Sequence, residues 1–140
     1  MRSAITALAF DYGLKNIGLA YGQALTGIGR ALPPLKARNG LPRWEQIEQR
    51  IKEWQPSILV VGLPLNMDGS ESELSQQARK FGRRLEGRYQ LEVAMMDERL
   101  SSFSAKQIAK DAGHKGDYKD KPIDSLAAQL ILEDWFRQTL

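Results

Sequence analysis

The sequence predicts an α/β fold: one mixed sheet, antiparallel on one side and parallel on the other, flanked by helices. Two observations carry this. Three short β-prone runs follow one another within the first 36 residues across turn-sized gaps, and from Trp44 onward helical and strand periodicities alternate. Strands joined by tight turns pair antiparallel, whereas a strand reached through a helix returns parallel.

Ile5 to Phe10 is a short apolar run, and Ile17 to Tyr21 is a second, reached through Tyr12, Gly13, Leu14, Lys15 and Asn16, so the pair reads as a hairpin. Ile28 to Lys36 reads as a third strand. Pro33 and Pro34 donate no ladder hydrogen bonds, which assigns it to the sheet edge. Trp44, Ile47, Ile51 and Trp54 fall at helical spacing with charges between them, and Pro56 stops the helix. Ile58 to Val61 is unalternating and aliphatic, the pattern of a central strand buried on both faces.

The loop GLPLNMDG then leads into a helix through Ser70, Glu71, Ser72 and Glu73, where Ser70 and Glu73 have capping-box spacing. Leu74, Ala78, Phe81 and Leu85 form its buried stripe. Leu91 to Met96 is the fifth strand, ended by Asp97, Glu98 and Arg99. Ser101 or Ser102 caps a further helix carrying Ala105, Ile108, Ala109 and Ala112, and Lys110 to Lys121 reads as a polar, mobile loop. Pro122 suits a helix start, and Ile123 to Phe136 is apolar enough to pack on the sheet.

With 140 residues, 42% hydrophobic and 26% charged, the chain is expected to be a single domain spanning 1–140. Twenty Lys and Arg against 17 Asp and Glu leave a net charge of +3, too slight to indicate a polyanionic partner without its distribution. The absence of cysteine excludes disulfides and thiolate metal sites. No stretch reaches the length of a bilayer-spanning helix and no secretory leader is visible, so a cytoplasmic protein with no membrane partner is expected.

The acids carry the chemistry. Asp11 ends the first strand, Asp97 and Glu98 end the fifth, and Asp124 lies in the first turn of the last helix. With the first, fourth and fifth strands parallel neighbours, Asp11 and the Asp97-Glu98 pair share the carboxyl edge, where open α/β sheets place ligands. Asp124 shares a helical face with Ala127, Ala128, Ile131 and Trp135, so it is expected to point inward. Clustered acids repel, and a divalent cation relieves them. Oxygen-only ligands favour Mg²⁺ or Mn²⁺, the layout of metal-assisted phosphodiester hydrolysis. Each acid taken singly also has a plainer role: Asp11 as a turn-former, Asp124 at a helix dipole, and Asp97 and Glu98 as solvated strand-end acids.

The stretches FDYGLKNIG, VVGLPLNMDGS, DERLSS and IDSLAAQLIL occur in order over nearly the whole chain and resemble the four signature stretches of the YqgF/RuvX family. The resemblance implies an RNase H-like fold, a five-stranded sheet of order 3-2-1-4-5 with the second strand antiparallel. It also implies a nuclease maturing the 5′ end of the small-subunit ribosomal RNA precursor. Carried over by position, Asp11, Glu98 and Asp124 are the catalytic acids and metal ligands, and Asp97 and Arg99 lie in the same stretch as Glu98. Arg99 is a candidate phosphate contact, or a partner of Asp97. Asn16 and Ser102 depart from the residues frequent at their positions.

Nucleic acid is the expected partner, with precursor RNA preferred over structured DNA, possible engagement of ribosomal precursor particles, and a monomer or weak homodimer as the oligomeric state. Lys15 beside Asp11, Asn66 in the loop, and Arg79, Lys80 and Arg83 on the outer helix face are the substrate-binding candidates, with Arg84 and Arg88 on the flank. Lys115, Tyr118, Lys119 and Lys121 are a further candidate clamp, and His114 reads as a surface residue. Two other classes use similar features. FDYGLKNIG also resembles the first phosphate loop of actin-like ATPases, but those close two such domains on a nucleotide. A binding factor of the same fold that no longer cuts is the other alternative, as is a DNA junction resolvase within the nuclease class.

Overall fold

Thr6–Asp11 forms the first strand, β1, whose residues from Ala7 on are all buried, because it lies mid-sheet with helices on both sides. The computed structural model describes residues 5–98 and 123–139, with the backbone alone at 123 and 124. The predicted helix after Ser101, the polar loop to Lys121, Arg99 and His114 lie outside the described residues.

β2 (Asn16–Gln23) returns antiparallel to β1, with Phe10 opposite Leu19 and Asp11 opposite Gly18. β3 (Ile28–Arg38) pairs antiparallel with β2. The aliphatic run becomes β5 (Ile58–Leu63), every residue buried, parallel to β1 on one side and to β6 (Glu92–Asp97) on the other. The order β3-β2-β1-β5-β6 is the expected 3-2-1-4-5, with the second strand antiparallel.

The structure corrects the strand count. A sixth strand, β4 (Leu41–Pro42), pairs only with Ala37 and Arg38 at the end of β3, so the stretch Ile28 to Lys36 with its two prolines lies at the sheet edge as expected. The cause of the extra strand is local. Asn39 and Gly40 have φ of 51° and 81°, and Arg38 pairs with Leu41 across them, which makes Asn-Gly a two-residue turn whose left-handed residues match the strand twist. The prolines are also accommodated by a bulge: Ile17 pairs with Leu35 but Leu19 with Leu32, so Gly18 faces both Pro33 and Pro34.

Helix α1 (Trp44–Trp54) and helix α2 (Glu73–Tyr89) cover one sheet face, packing on Leu8, Phe10, Leu59 and Val61. Phe81 of α2 centres this layer, its ring 5.6 Å from Phe10, 5.0 Å from Tyr12 and 5.9 Å from Trp44. The α2 capping box closes two residues later than expected. Ser72 accepts from the Ser75 amide at 2.9 Å, and the Ser75 hydroxyl accepts from the Ser72 amide at 2.8 Å. Ser70 is engaged elsewhere, donating to Asp68 at 2.6 Å.

Helix α3 (Ile123–Thr139) covers the opposite face, where Ala128, Ile131, Leu132 and Trp135 pack on Ala7, Ala9, Ala20, Ile58 and Val60. Alanines on both sides allow the close approach.

Candidate active site

Alternation along a strand sends successive side chains to opposite faces. Ala7 and Ala9 face α3, so Asp11 does too, whereas Leu8, Phe10 and Tyr12 face α1 and α2. Asp11 is buried, 4% exposed, at the carboxyl end of β1.

The same parity separates the two acids that the sequence leaves side by side. Val93 and Met95 pack with α2 and Ala94 and Met96 with α3, so Asp97 belongs to the α2 face and Glu98 to the α3 face. Gly62 reports the same placement independently. A Cβ built there would lie 2.8 Å from Glu98 Oε2 and 2.7 Å from Ile131 Cδ1 of α3. The Glu98 carboxylate therefore lies over Gly62, in space that only glycine leaves open. Phe10 pairs with Val61, so the next rung sets Asp11 beside Gly62. The Glu98 carboxylate thus lies over the strand next to Asp11, on the same face.

The helix that carries Asp124 is tied to the sheet by a hydrogen-bonded latch. The proline bulge interrupts the β2–β3 ladder, and the buried Ser125 hydroxyl of α3 fills the break, donating to the Leu32 carbonyl and accepting from the Leu19 amide at 3.3 Å. Leu19 lies opposite Phe10, so the amino end of α3, with Asp124 in its first turn, is fastened one strand from the end of β1. The side chain of Asp124 lies outside what the structure describes. Ser125→Ala leaves a buried N–H and C=O without this partner and is expected to lower stability by about 1–3 kcal/mol, read as a lower urea midpoint at constant m.

The donor chemistry fits a hard divalent cation. Asp11 and Glu98 offer carboxylate oxygens on one helix-covered face, the chain has no cysteine, and oxygen ligands suit Mg²⁺ or Mn²⁺. Among the described residues no group of three His, Cys, Asp or Glu forms a cation site. A third ligand to this pair would be Asp124.

The predicted substrate contacts divide. Lys15 is exposed in the β1–β2 turn that follows Asp11. Asn66 is exposed in the loop after β5, where its side-chain amide donates to Ser70 Oγ at 3.0 Å and to the Glu71 carbonyl at 3.2 Å, bracing the loop. Arg79 donates to both carboxylate oxygens of Glu71, at 3.1 and 3.0 Å, and this hydrogen-bonded partner holds the Glu71 carboxyl below its ordinary range. Arg79 and Arg83 line a shallow groove between α2 and β6 together with Glu86. Lys80 lies on the other flank, with Arg84, in a cleft against the β3–β4 turn. The basic face that looks continuous in sequence is two tracks.

Comparison with known proteins places the chain. The RuvX family, described as Holliday junction resolvase, matches residues 5–138. A protein of Saccharophagus degradans is 53% identical over 95% of this chain and 94% of its own length, and one of Actinobacillus pleuropneumoniae is 57% identical over 95% and 97%. Both are named "Putative pre-16S rRNA nuclease". Among solved structures, Thermus thermophilus RuvC in complex with a Holliday junction substrate is similar with a TM-score of 0.54 at 17% identity, covering 96% of both chains. The fowlpox virus Holliday junction resolvase is similar with a TM-score of 0.51 at 14% identity, covering 97% of this chain and 100% of its own. At such identities the likeness is one of fold. The family match over nearly the full length, together with relatives above half identity, means that this chain belongs to the RuvX family.

Proposed function

We propose that this protein is a divalent-metal-dependent nuclease that hydrolyses phosphodiester bonds at the 5′ end of the small-subunit ribosomal RNA precursor. The observation that carries the reading is the Glu98 carboxylate lying over Gly62, one strand from buried Asp11, on the face that α3 covers. The relatives' names supply the substrate class.

Asp11, Glu98 and Asp124 would hold Mg²⁺ or Mn²⁺, which when bound supplies Lewis-acid stabilisation of phosphoryl oxygens and lowers the pKa of water. Asp11 is held by the buried strand around it, so its carboxylate is pre-positioned and little reorganisation is needed on substrate binding. Lys15, exposed in the following turn, neutralises a neighbouring phosphate. Water oxygen bonds to phosphorus as the bridging P–O bond breaks, and the leaving oxygen takes up a proton. The substrate is RNA within or released from ribosomal precursor particles, and the protein acts in the cytoplasm. No helix among the described residues is long and apolar enough to cross a membrane.

The test is cleavage of a 5′-extended small-subunit RNA fragment by purified protein. Cleavage is expected with Mg²⁺ or Mn²⁺, to be lost in EDTA and to return with excess metal. A four-way DNA junction run alongside decides the substrate class, because the family description and the fold likeness also fit a junction-cleaving DNA endonuclease. Tight RNA binding without cleavage of either substrate at any metal concentration would overturn the nuclease assignment in favour of a non-cutting binding factor.

A further inference from the structure

The cleft between the β3–β4 turn and α2 has features that the acid site does not use. It has a volume of about 220 Å³ and is lined by Tyr12, Gly40, Trp44, Lys80, Phe81 and Arg84 among others. Among the described residues no carboxylate lines it. Lys80 and Arg84 stand four residues apart on α2, and neither makes an ion pair with the described residues, whereas Arg79 one position away is held by Glu71. Like charges at this spacing repel along a helix, and an anion between them would relieve that repulsion.

The walls are ordered by contacts of their own. Tyr12 donates its hydroxyl to the Gly40 carbonyl at 2.7 Å, fixing the Asn39-Gly40 turn over the cleft. Burial pushes the Tyr12 phenol up, with the nearby Arg84 charge opposing. Trp44 stacks on Phe81 and carries the Arg88 guanidinium 4.1 Å above its ring. Two cations without an ion pair among the described residues, held beside ordered aromatic walls, suit a backbone phosphate of single-stranded nucleic acid.

Position links the cleft to the acids. Tyr12 immediately follows Asp11, and strand alternation sends the two to opposite faces of the same sheet edge. A strand cleaved at Asp11 that continues around this edge arrives at Lys80 and Arg84. We propose that this cleft is a second substrate subsite, which grips a backbone phosphate of the single strand flanking the cleaved bond between Lys80 and Arg84. The proposal rests on the nuclease reading above and extends it to the path of the substrate.

The experiment measures affinity, separately from cleavage. The Asp11→Asn protein and its Lys80→Gln/Arg84→Gln derivative are titrated with a fluorescent single-stranded RNA over a range of salt. Removing one phosphate contact is expected to lower the salt slope of log affinity by about 0.7 and affinity by about tenfold. The exchange Lys80→Arg with Arg84→Lys, which keeps both charges, is expected to restore binding. In protein with intact acids the neutralised pair should raise KM far more than it lowers kcat. Unchanged affinity and slope would overturn the subsite, as would an equal loss on Lys52→Gln, a solvent-exposed lysine of α1 paired with Glu48. The two readings fail separately. Cleavage with an unaltered salt slope removes the subsite and leaves the nuclease. A reduced slope with no cleavage of any substrate removes the nuclease and leaves the cleft.

Discussion

Asp11→Asn is expected to reduce metal-dependent cleavage by about 10³-fold or more while the protein stays folded. The amide keeps the size of the carboxylate and removes its charge, so the strand ladder around it is unaltered and the affinity for a divalent cation is lost. Asp11 is 4% exposed and the amide fills the same volume, so the variant should keep a cooperative thermal transition. Single-turnover cleavage and a thermal melt measure both halves of the prediction. Glu98→Gln should behave alike. Asp97→Asn should cost only a few-fold, because its strand position belongs to the α2 face. Equal losses at 97 and 98 would contradict the assignment of Glu98 as the ligand of the pair.

Gly62→Ala tests the same geometry from the opposite side. The new methyl would meet Ile131 Cδ1 at 2.7 Å and Glu98 Oε2 at 2.8 Å, both ends of flexible side chains that can move away. Overpacking of this kind costs about 1–3 kcal/mol of stability. Moving the Glu98 carboxylate by an ångström is expected to cost about 100-fold in cleavage rate. The two effects can be separated. Ile131→Val removes the Cδ1 atom, so the double variant Gly62→Ala/Ile131→Val should regain stability without regaining activity. Recovery of both would mean that the methyl acts through α3 and not through Glu98.

Much of this architecture is legible in the chain because its signals are local. The unalternating Ile58–Leu63 run marks a strand buried on both faces, and the tight segment between Asp11 and Asn16 marks the hairpin, whatever the rest of the molecule does. The sixth strand was also written locally, in Asn39-Gly40, but a two-residue strand ending in proline has no periodicity to accompany its turn. The capping box slipped because Ser70, Glu71, Ser72, Glu73 and Ser75 offer more than one pairing. Asp68 and Asn66 engage Ser70, and the box is left to Ser72 and Ser75. The basic helix face was legible as charge and not as direction. Whether a cation meets a carboxylate, as Arg79 meets Glu71, or an acid-free cleft, as Lys80 does, depends on elements brought from elsewhere in the chain.

By itself, then, the sequence determined most of the elements, since hydrophobic period and turn chemistry are properties of neighbouring residues, and its motifs, by resemblance, supplied the strand order and named the candidate acids. Only the tertiary structure decided which acid of the Asp97-Glu98 pair turns toward Asp11, and that a glycine on the strand between makes room for it. It also decided that a serine filling a proline bulge fastens the helix bearing Asp124 beside them. The reason is that a side chain's face is set by register and its surroundings by packing, and both are agreements between segments about 30 to 100 residues apart, which no local pattern encodes.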